Sequence, residues 1–180
     1  ALIERNNVSA LVAACERQQL TLRSIGIAEL ALASIMGTMS GVENLGLAVL
    51  YLTGDKGSIN LIENGYLYLT RTLEMHSMGS SYSGNDDFNN DPTDNLALDI
   101  QRSLDYYESQ LGKSGVNRLY VITESVEQQV WCEGLSQRLP IRAQVFGLAE
   151  LIGAGELSTL QQGLLAPAVG IALGGRHVNA

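Results

Sequence analysis

The sequence is poor in the residues that build disulfide frameworks and metal sites. It contains two cysteines and two histidines among 180 residues. Cys15 and Cys132 each lie in an apolar helical pattern, so we expect reduced packing residues, although a disulfide between them stays open. His76 and His177 have no surrounding cluster of ligand residues, and we expect no metal site. The nucleophile motif G-x-S-x-G is also missing, so no catalytic residue is assigned.

Basic residues and long apolar runs are scarce as well. Eleven Lys and Arg stand against 19 Asp and Glu, which gives a formal net charge of −8. Such a surface repels phosphate backbones, so we expect no general binding of nucleic acid. No apolar run approaches the roughly 20 residues that span a bilayer, and no signal peptide is recognisable. These features are typical of a cytoplasmic protein.

The residues that are abundant are hydrophobic, at 46% of the chain, which is enough for one core or two small lobes. Their spacing changes between the helical and the strand period. Helices are predicted at 7–18, 28–39, 96–111, 126–139, 148–152 and 157–165. Strands are predicted at 21–27, 47–53, 57–63, 66–72, 118–123 and 141–146. A three-stranded meander followed by alternating helices and strands predicts an α/β domain with a mixed sheet.

Two segments between these elements carry specific signals. Asn64-Gly65 separates the second and third strands of the meander and predicts a two-residue hairpin, because both residues tolerate positive φ. The stretch 76–95 is rich in Gly, Ser, Asn and Asp and predicts a long exposed loop. It begins like a calcium loop at Asp87, but proline and leucine stand where that loop needs glycine and glutamate. We therefore predict a solvated loop without calcium.

Gly112-Lys113-Ser114 ends like the phosphate-binding loop G-x-x-x-x-G-K-[ST]. The first glycine of that motif would stand at Tyr107. The true motif also opens a helix, where backbone N–H groups face the phosphates, whereas this segment follows the end of an amphipathic helix. We therefore predict that Gly112 terminates the helix and that Lys113 complements its negative end, without binding phosphate.

Residues 96–122, LALDIQRSLDYYESQLGKSGVNRLYVI, resemble the PilM family of actin-like proteins of type IV pilus assembly. The branch that they resemble is MshI, of the mannose-sensitive haemagglutinin (MSHA) pilus. The meander at 49–73, VLYLTGDKGSINLIENGYLYLTRTL, is similar to the family's phosphate-loop hairpin and the strand after it. The end of the chain, LAPAVGIALGG at 165–175, resembles the closing strand and helix of the same fold.

The resemblance implies an α/β fold of the ribonuclease H-like, actin-like ATPase type, with a mixed five-stranded sheet and helices on both faces. It assigns 1–45 to the C-terminal part of a first actin-like lobe and 46–180 to a second lobe with the exposed loop 76–95. The chain begins with Ala1 and lacks the strand of the family's first phosphate loop. We therefore expect a fragment or a trimmed form of a longer protein.

The resemblance also implies where a nucleotide would bind. Actin-like ATPases carry a second phosphate loop of the form D-[IL]-G-x-x-x-[ST]. In this chain Gly54 and Ser58 match its glycine and hydroxyl positions, but Leu52 replaces the aspartate. Leucine cannot hold Mg²⁺ or orient water. Asp55 is three residues away, and we expect it to point elsewhere.

The second part of the implied pocket is the adenosine loop, a [SG]-G-G run after the strand that follows the long helix. Here Glu124 and Ser125 occupy that place, and a carboxylate would meet the nucleotide with the wrong charge and too much bulk. The resemblance therefore predicts a vestigial pocket made of Gly54, Ser58, Glu124 and Ser125, without a bound cofactor. Weak binding of ATP and a working ATPase are the alternatives.

The family further implies a partner, a PilN-type inner-membrane protein whose short cytoplasmic segment is captured in a groove. A chain with a charge of −8 would favour a segment that carries Lys or Arg. We expect this groove on the missing lobe or on the segment 1–40. The protein would then be cytoplasmic and associated with the inner membrane through its partner.

Two other functions remain as alternatives. A ribonuclease H-type nuclease would need acidic residues at strand ends around two metals, but the strands end in Leu52, Thr53 and Thr123. A homodimer would need amphipathic contact area, which tyrosines supply. The candidate tyrosines are Tyr66, Tyr68, Tyr106 and Tyr107.

Overall fold

The computed structural model of the protein describes residues 5–22, 25–39, 44–54, 56–74 and 92–174. The calcium-like segment that begins at Asp87, both histidines, Asp55 and most of the predicted loop 76–95 lie outside the described residues. The last four positions of that loop are helical instead, because the next helix begins at Pro92. Proline suits the first turn of a helix, where its missing N–H has no partner to lose.

The core of the fold is a five-stranded sheet with the order β3-β2-β1-β4-β5. Strands β1 and β2 are antiparallel, as are β2 and β3, whereas β4 runs parallel to β1 and β5 runs parallel to β4. The predicted mixed sheet is therefore confirmed. The strands are β1 (Gly46–Thr53), β2 (Lys56–Glu63), β3 (Tyr66–Glu74), β4 (Val116–Thr123) and β5 (Arg142–Val145).

Six helices accompany the sheet in the described part of the chain. They are α1 (Arg5–Arg17), α2 (Ala28–Met36), α3 (Pro92–Ser109), α4 (Gln128–Arg138), α5 (Leu148–Ile152) and α6 (Thr159–Gly174). No residue of α1 is buried, whereas α2 buries most of its length. None of the helices in these described ranges is long and apolar enough to cross a membrane.

Two hydrophobic cores form on opposite faces of the sheet. Helices α3 and α4 cover one face, where Ile100 and Leu135 meet Leu50 of the central strand. Helices α2 and α6 cover the other face, where Leu32 and Ala166 meet Val49. Because successive residues of a strand point to opposite faces, the apolar run of β1 supplies both cores at once. The predicted placement of helices on both faces is confirmed.

The hairpin between β2 and β3 has the geometry that Asn64-Gly65 predicts. The φ angles are 52° at Asn64 and 77° at Gly65, as a type I′ turn requires. A Cβ atom at Gly65 would lie 3.1 Å from the Cα atom of Gly37, just beyond α2. The side chain of Asn64 also accepts a hydrogen bond of 2.8 Å from the N–H of Asn44. The turn is thereby tied to both ends of the connection between α2 and β1.

The two edge strands of the sheet differ in whether their outer backbone groups are hydrogen-bonded. At the short edge strand β5, the hydroxyl of Ser136 on α4 accepts a hydrogen bond of 2.9 Å from the N–H of Ala143 and donates one of 3.3 Å to its carbonyl. At the nine-residue edge strand β3, no described residue caps the outer backbone groups in this way. Ser136 therefore hinders further pairing of β5 at Ala143, whereas β3 has no such cap among the described residues.

Two sequence-based predictions about this part of the fold are wrong. The described positions of 21–27, which are all but 23 and 24, do not form a strand. A Cβ atom at Gly26 would lie 3.7 Å from Cγ1 of Ile171, so this point of the segment is beside helix α6. The closing strand expected near 165–175 is the second half of α6, which continues through Pro167 to Gly174.

The four tyrosines that were candidates for a dimer surface differ in their exposure. Tyr107 is buried, contrary to the expectation that it supplies contact area, because it points from α3 into the sheet. Tyr66, Tyr68 and Tyr106 are exposed. Cys132 is buried in the core of α3 and α4, which confirms its packing role, and burial raises the pKa of its thiol to about 11. Cys15 is partly buried, and both cysteines are free thiols.

Close packing of α2 on α6 depends on Gly170. A Cβ atom at this position would lie 2.1 Å from the carbonyl oxygen of Ala31, so the two helices would have to separate. We expect Gly170→Ala to lower the free energy of unfolding by about 3 kcal/mol. Gly155→Ala is the matched control, because a Cβ there meets nothing within 4 Å, and it should change stability by less than about 0.5 kcal/mol. Equal urea midpoints for both variants would contradict this packing.

Candidate functional site

The candidate site lies at the carboxyl edge of the two central parallel strands. Strands β1 and β4 are neighbours, and the register places Leu52 beside Thr123 at their ends. In open α/β sheets, ligands bind outside the carboxyl ends of parallel strands, where loops diverge. This edge is therefore the first place to look for the nucleotide pocket that the sequence implies.

Three of the four predicted pocket residues meet at this edge. Gly54 forms the tight turn after β1 with a φ of +57°, and a Cβ atom there would meet nothing within 4 Å. Glu124 and Ser125 follow the end of β4 directly. Ser58 is set back from the edge, because it pairs with Tyr51 inside the sheet. Its hydroxyl is buried and accepts a hydrogen bond of 3.0 Å from Asn60.

The polar groups of Ser125 are engaged in local turns. Its backbone N–H donates to the hydroxyl of Thr123 at 3.1 Å, and its own hydroxyl accepts from the N–H of Glu127 at 3.2 Å. Such contacts between a serine and a backbone N–H two residues on are typical of the turn before a helix. This accounts for the transition from β4 into α4 without any ligand.

Helix α6 covers the same edge at very close range. A Cβ atom at Gly163 would lie 2.9 Å from the carbonyl oxygen of Thr123 and 2.9 Å from Cγ of Glu124. The backbone of α6 therefore rests directly on the end of β4. The side chain of Gln128, at the start of α4, donates a hydrogen bond of 3.2 Å to the hydroxyl of Thr159 at the start of α6. The loop 124–127 is thus held between two helix ends.

A tyrosine completes the contact between α6 and β1. Pro167 has no N–H, so the carbonyl of Gly163 loses the donor that a regular helix would supply. The hydroxyl of Tyr51 donates a hydrogen bond of 3.4 Å to that carbonyl. Burial raises the pKa of the Tyr51 phenol, and the carboxylates of Glu124 and Glu29 raise it further. The hydroxyl of Tyr51 therefore keeps its proton more firmly than an ordinary phenol does. The carboxylates of Glu124 and Glu29 border this edge of the sheet.

Leu52 does not face this edge as a ligand would. Its side chain is buried in the core under α3 and α4. An aspartate at this position would bury a carboxylate among apolar residues, which is costly without a paired charge. Within the part of the chain that the structure describes, no group of three or more His, Cys, Asp or Glu is placed to hold a metal ion.

The segment Gly112-Lys113-Ser114 lies at the end of α3, away from a helix start. Gly112 has a φ of +60°, which confirms that it terminates the helix. The ammonium of Lys113 lies 2.8 Å from a carboxylate oxygen of Glu63 and 3.7 Å from the ring centroid of Tyr68. Burial and the carboxylate of Glu63 together raise the pKa of Tyr107, which borders this pair, to about 12. The lysine is thus part of a structural cluster.

Comparison with known proteins identifies the fold. No protein-family model and no curated protein matches the chain. Among solved structures, the PilM-PilN type IV pilus biogenesis complex aligns with 96% of the chain at a TM-score of 0.64 and 17% identity. The ethanolamine utilization protein EutJ from Carboxydothermus hydrogenoformans also aligns with 96%, at a TM-score of 0.58 and 17% identity. The chain has an actin-like fold.

The actin-like match is a partial one. The chain spans 58% of the length of the PilM-PilN match and 62% of the EutJ chain. The predicted ribonuclease H-like, actin-like class is confirmed, whereas the MshI branch and the lobe boundary after residue 45 stay predictions. Helix α2 lies before that boundary and packs in the same core as α6.

Sequence reasoning about this actin-like edge missed Tyr51 and Gly163. The two residues are 112 positions apart, and no local pattern links them. One signal in the sequence could have indicated this contact. A proline inside an uncharged helical run leaves the carbonyl four residues earlier without its helical N–H, so that carbonyl needs another donor.

We expect Tyr51→Phe to destabilise the protein by about 1 kcal/mol. The carbonyl of Gly163 would then have neither a helical N–H, which Pro167 lacks, nor the hydroxyl of Tyr51 as its donor. The free energy of unfolding in urea at pH 7 measures the loss. Tyr66→Phe is the matched control, since that ring is 71% exposed, and it should have an effect below about 0.5 kcal/mol. A Tyr51→Phe variant as stable as the unmodified chain would show that the hydroxyl does not support α6.

Proposed function

We propose that this chain is part of an actin-like scaffold of type IV pilus assembly that binds an inner-membrane partner and does not hydrolyse ATP. The observation that carries the proposal is the alignment of 96% of the chain with the PilM-PilN complex. The helix and meander that resemble the PilM family in sequence coincide with α3, β1, β2 and β3. The motif therefore favours the PilM family and the fold agrees with it, and the MSHA pilus is the system whose branch the motif resembles.

The loss of hydrolysis is argued from the carboxyl edge. A phosphoryl-transfer site needs a metal ion and a group that positions water. The residue in the aspartate position, Leu52, points into the core. Glu124 would place a negative charge beside a triphosphate, and α6 packs directly on the end of β4. These features support a vestigial nucleotide pocket at Gly54, Glu124 and Ser125, with ATP bound weakly at most, whereas the buried Ser58 lies behind it inside the sheet.

The partner is argued by analogy with the complex. PilM occurs there together with PilN, and we propose that this chain binds a PilN-like segment. An extended peptide gains affinity from backbone pairing and side-chain pockets, and the net charge of −8 favours a segment with Lys or Arg. The protein would then be cytoplasmic and peripheral to the inner membrane through that partner, without contact to nucleic acid.

An ATP-binding switch of the pilus machinery is the second candidate. It is favoured by one observation, namely that Gly54 keeps an open turn with positive φ at the end of a central strand. Such turns let a backbone approach a phosphate closely. The two candidates differ in nucleotide affinity and turnover, which can be measured directly.

We expect calorimetry with MgATP on the full-length protein to show no binding tighter than about 100 μM. Phosphate release should stay at the level of a sample without protein, because Leu52 stands where the second phosphate loop of actin-like ATPases has its aspartate and points into the core. An actin-like ATPase with an intact D-x-G-x-x-x-[ST] motif serves as the positive control. Tighter binding accompanied by turnover would replace the scaffold with the switch.

We expect the full-length protein to capture a synthetic peptide with the cytoplasmic N-terminal sequence of a PilN-type protein. Removal of residues 1–20 should weaken capture about tenfold or more if the groove includes this segment. This deletion is informative because α1 buries no residue, whereas a deletion to residue 40 would remove the buried helix α2.

A peptide in which Lys and Arg are replaced by Glu is the control for charge. Absence of capture by the full-length protein would contradict the proposed partner. Unchanged capture after the deletion would place the groove outside residues 1–20.

A further inference from the structure

The turn Asn64-Gly65 combines a conformation that suits a hairpin with a sequence that is chemically labile. Asparagine is a thermolabile residue, because the backbone nitrogen of the next residue can attack its side-chain carboxamide. Glycine has no side chain, so its nitrogen is the least hindered attacker. Asn64-Gly65 is the only Asn-Gly pair in the sequence. Asn64 is exposed at the tip of the hairpin between β2 and β3, where water can reach it.

The reaction at such a pair is a loss of ammonia followed by hydrolysis. The nitrogen of Gly65 gives up its proton and bonds to Cγ of Asn64, the bond from Cγ to Nδ2 breaks, and ammonia leaves a succinimide ring behind. Water then opens the ring at either of its carbonyls. One opening gives aspartate, and the other gives isoaspartate, whose backbone runs through the side chain and is longer by a methylene group. Water is the only co-reactant.

Two hydrogen bonds fix the carboxamide of Asn64 in the folded chain. Its Oδ1 accepts from the backbone N–H of Asn44 at 2.8 Å, and its Nδ2 donates to Oδ1 of Asn44 at 3.2 Å. Both polar atoms of the carboxamide are therefore engaged by one residue of the connection before β1. Ring closure makes Cγ tetrahedral and expels Nδ2, so it cannot proceed while this planar pair of bonds is kept.

The backbone of the turn opposes ring closure as well. The succinimide ring contains the Cα–C bond of Asn64 and holds it at an angle that a type I′ turn does not have. The turn cannot adopt that angle in place, because a Cβ atom at Gly37 would lie only 2.9 Å from the Cα atom of Gly65. The reaction therefore requires the hairpin to part from Gly37 and from Asn44, which lie at the two ends of the connection between α2 and β1.

The two products differ in whether the hairpin can close again. Aspartate keeps the length of the turn and adds one negative charge next to Glu63, in a chain whose net charge is already −8. Isoaspartate lengthens a two-residue turn whose glycine lies against Gly37, where there is no room for another backbone carbon. A chain that carries isoaspartate at this position cannot restore the contact.

We propose that Asn64 is a site of spontaneous deamidation that Asn44 keeps latent. Deamidation then takes place in molecules whose hairpin has opened, and the isoaspartate product keeps the hairpin apart from the connection between α2 and β1. The proposal does not depend on the proposed function.

The first test compares the rate of deamidation in folded and unfolded chains at mildly alkaline pH. Trypsin releases the peptide 57–71, GSINLIENGYLYLTR, in which mass spectrometry detects the exchange of the amide for an acid. Asn60 in the same peptide is an internal control, since it is buried and is followed by leucine. We expect Asn64 to react at least about tenfold more slowly in the native chain than in urea or in the synthetic peptide, because two hydrogen bonds must be released.

The second test removes the contact that keeps the site latent. Asn44→Gly keeps a residue that tolerates the φ of 60° and keeps the backbone N–H, but it deletes the acceptor of Nδ2. We expect native deamidation to become roughly fivefold faster. Gln19→Gly is the matched control, because Gln19 is an exposed amide residue with a φ of 54° outside the hairpin. It should leave the rate unchanged.

Three results would each overturn the proposal. They are a native chain that reacts as fast as the peptide, an Asn44→Gly variant that reacts no faster than the Gln19→Gly variant, and a peptide that does not react at all. The consequence for the hairpin is measured on the isoaspartate form, separated by chromatography. Hydrogen exchange at the N–H of Asn44 should be faster in that form than in the unmodified chain, and equal exchange would show that the contact closes again.

Discussion

The central strand β1 imposes the main constraint on this fold. Its apolar side chains point to both faces of the sheet, so both faces must be shielded from water. One face needs α3 and α4, and the other needs α2 and α6. Strand β1 also pairs on both sides, antiparallel to β2 and parallel to β4. The crossover through α3 is what brings β4 beside β1, and with it the carboxyl ends of two parallel strands to a common edge. The candidate site is a consequence of how this strand is buried.

Local patterns in the sequence predicted the elements whose formation is local. Asn64-Gly65 indicated a hairpin because only a few residues adopt two positive φ angles in succession, and the periodic apolar positions of α3 indicated a long helix. Residues 21–27 were also predicted as a strand, but their described positions form none, and Gly26 lies close to Ile171 of a helix rather than to a strand. Apolar composition alone does not distinguish these two partners. The same limit applies to the end of the chain, where a closing strand was expected near 165–175 and α6 continues to Gly174 instead.

The candidate site also depends partly on local sequence features and partly on contacts between distant segments. The resemblance pointed to Gly54, Glu124 and Ser125, and the parallel pairing of β1 with β4 brings the segments that carry them to one edge, although their role in a pocket stays a prediction. The burial of Leu52 and Ser58, and the contact of Tyr51 with Gly163, depend on packing between distant segments. The residues of helix α6 illustrate both kinds of feature, local and long-range. Its small residues allow contact with α2, and its proline calls for a donor from β1, while its outer leucines serve neither purpose.

The hydroxyl of Ser136 has a consequence for how this lobe behaves when it is crowded or partly unfolded. It engages the N–H and the carbonyl of Ala143, so a strand from another chain cannot pair with β5 at that residue. Strand β3 has no such cap among the described residues, so an added strand would meet less competition for hydrogen bonds beside β3 than beside β5.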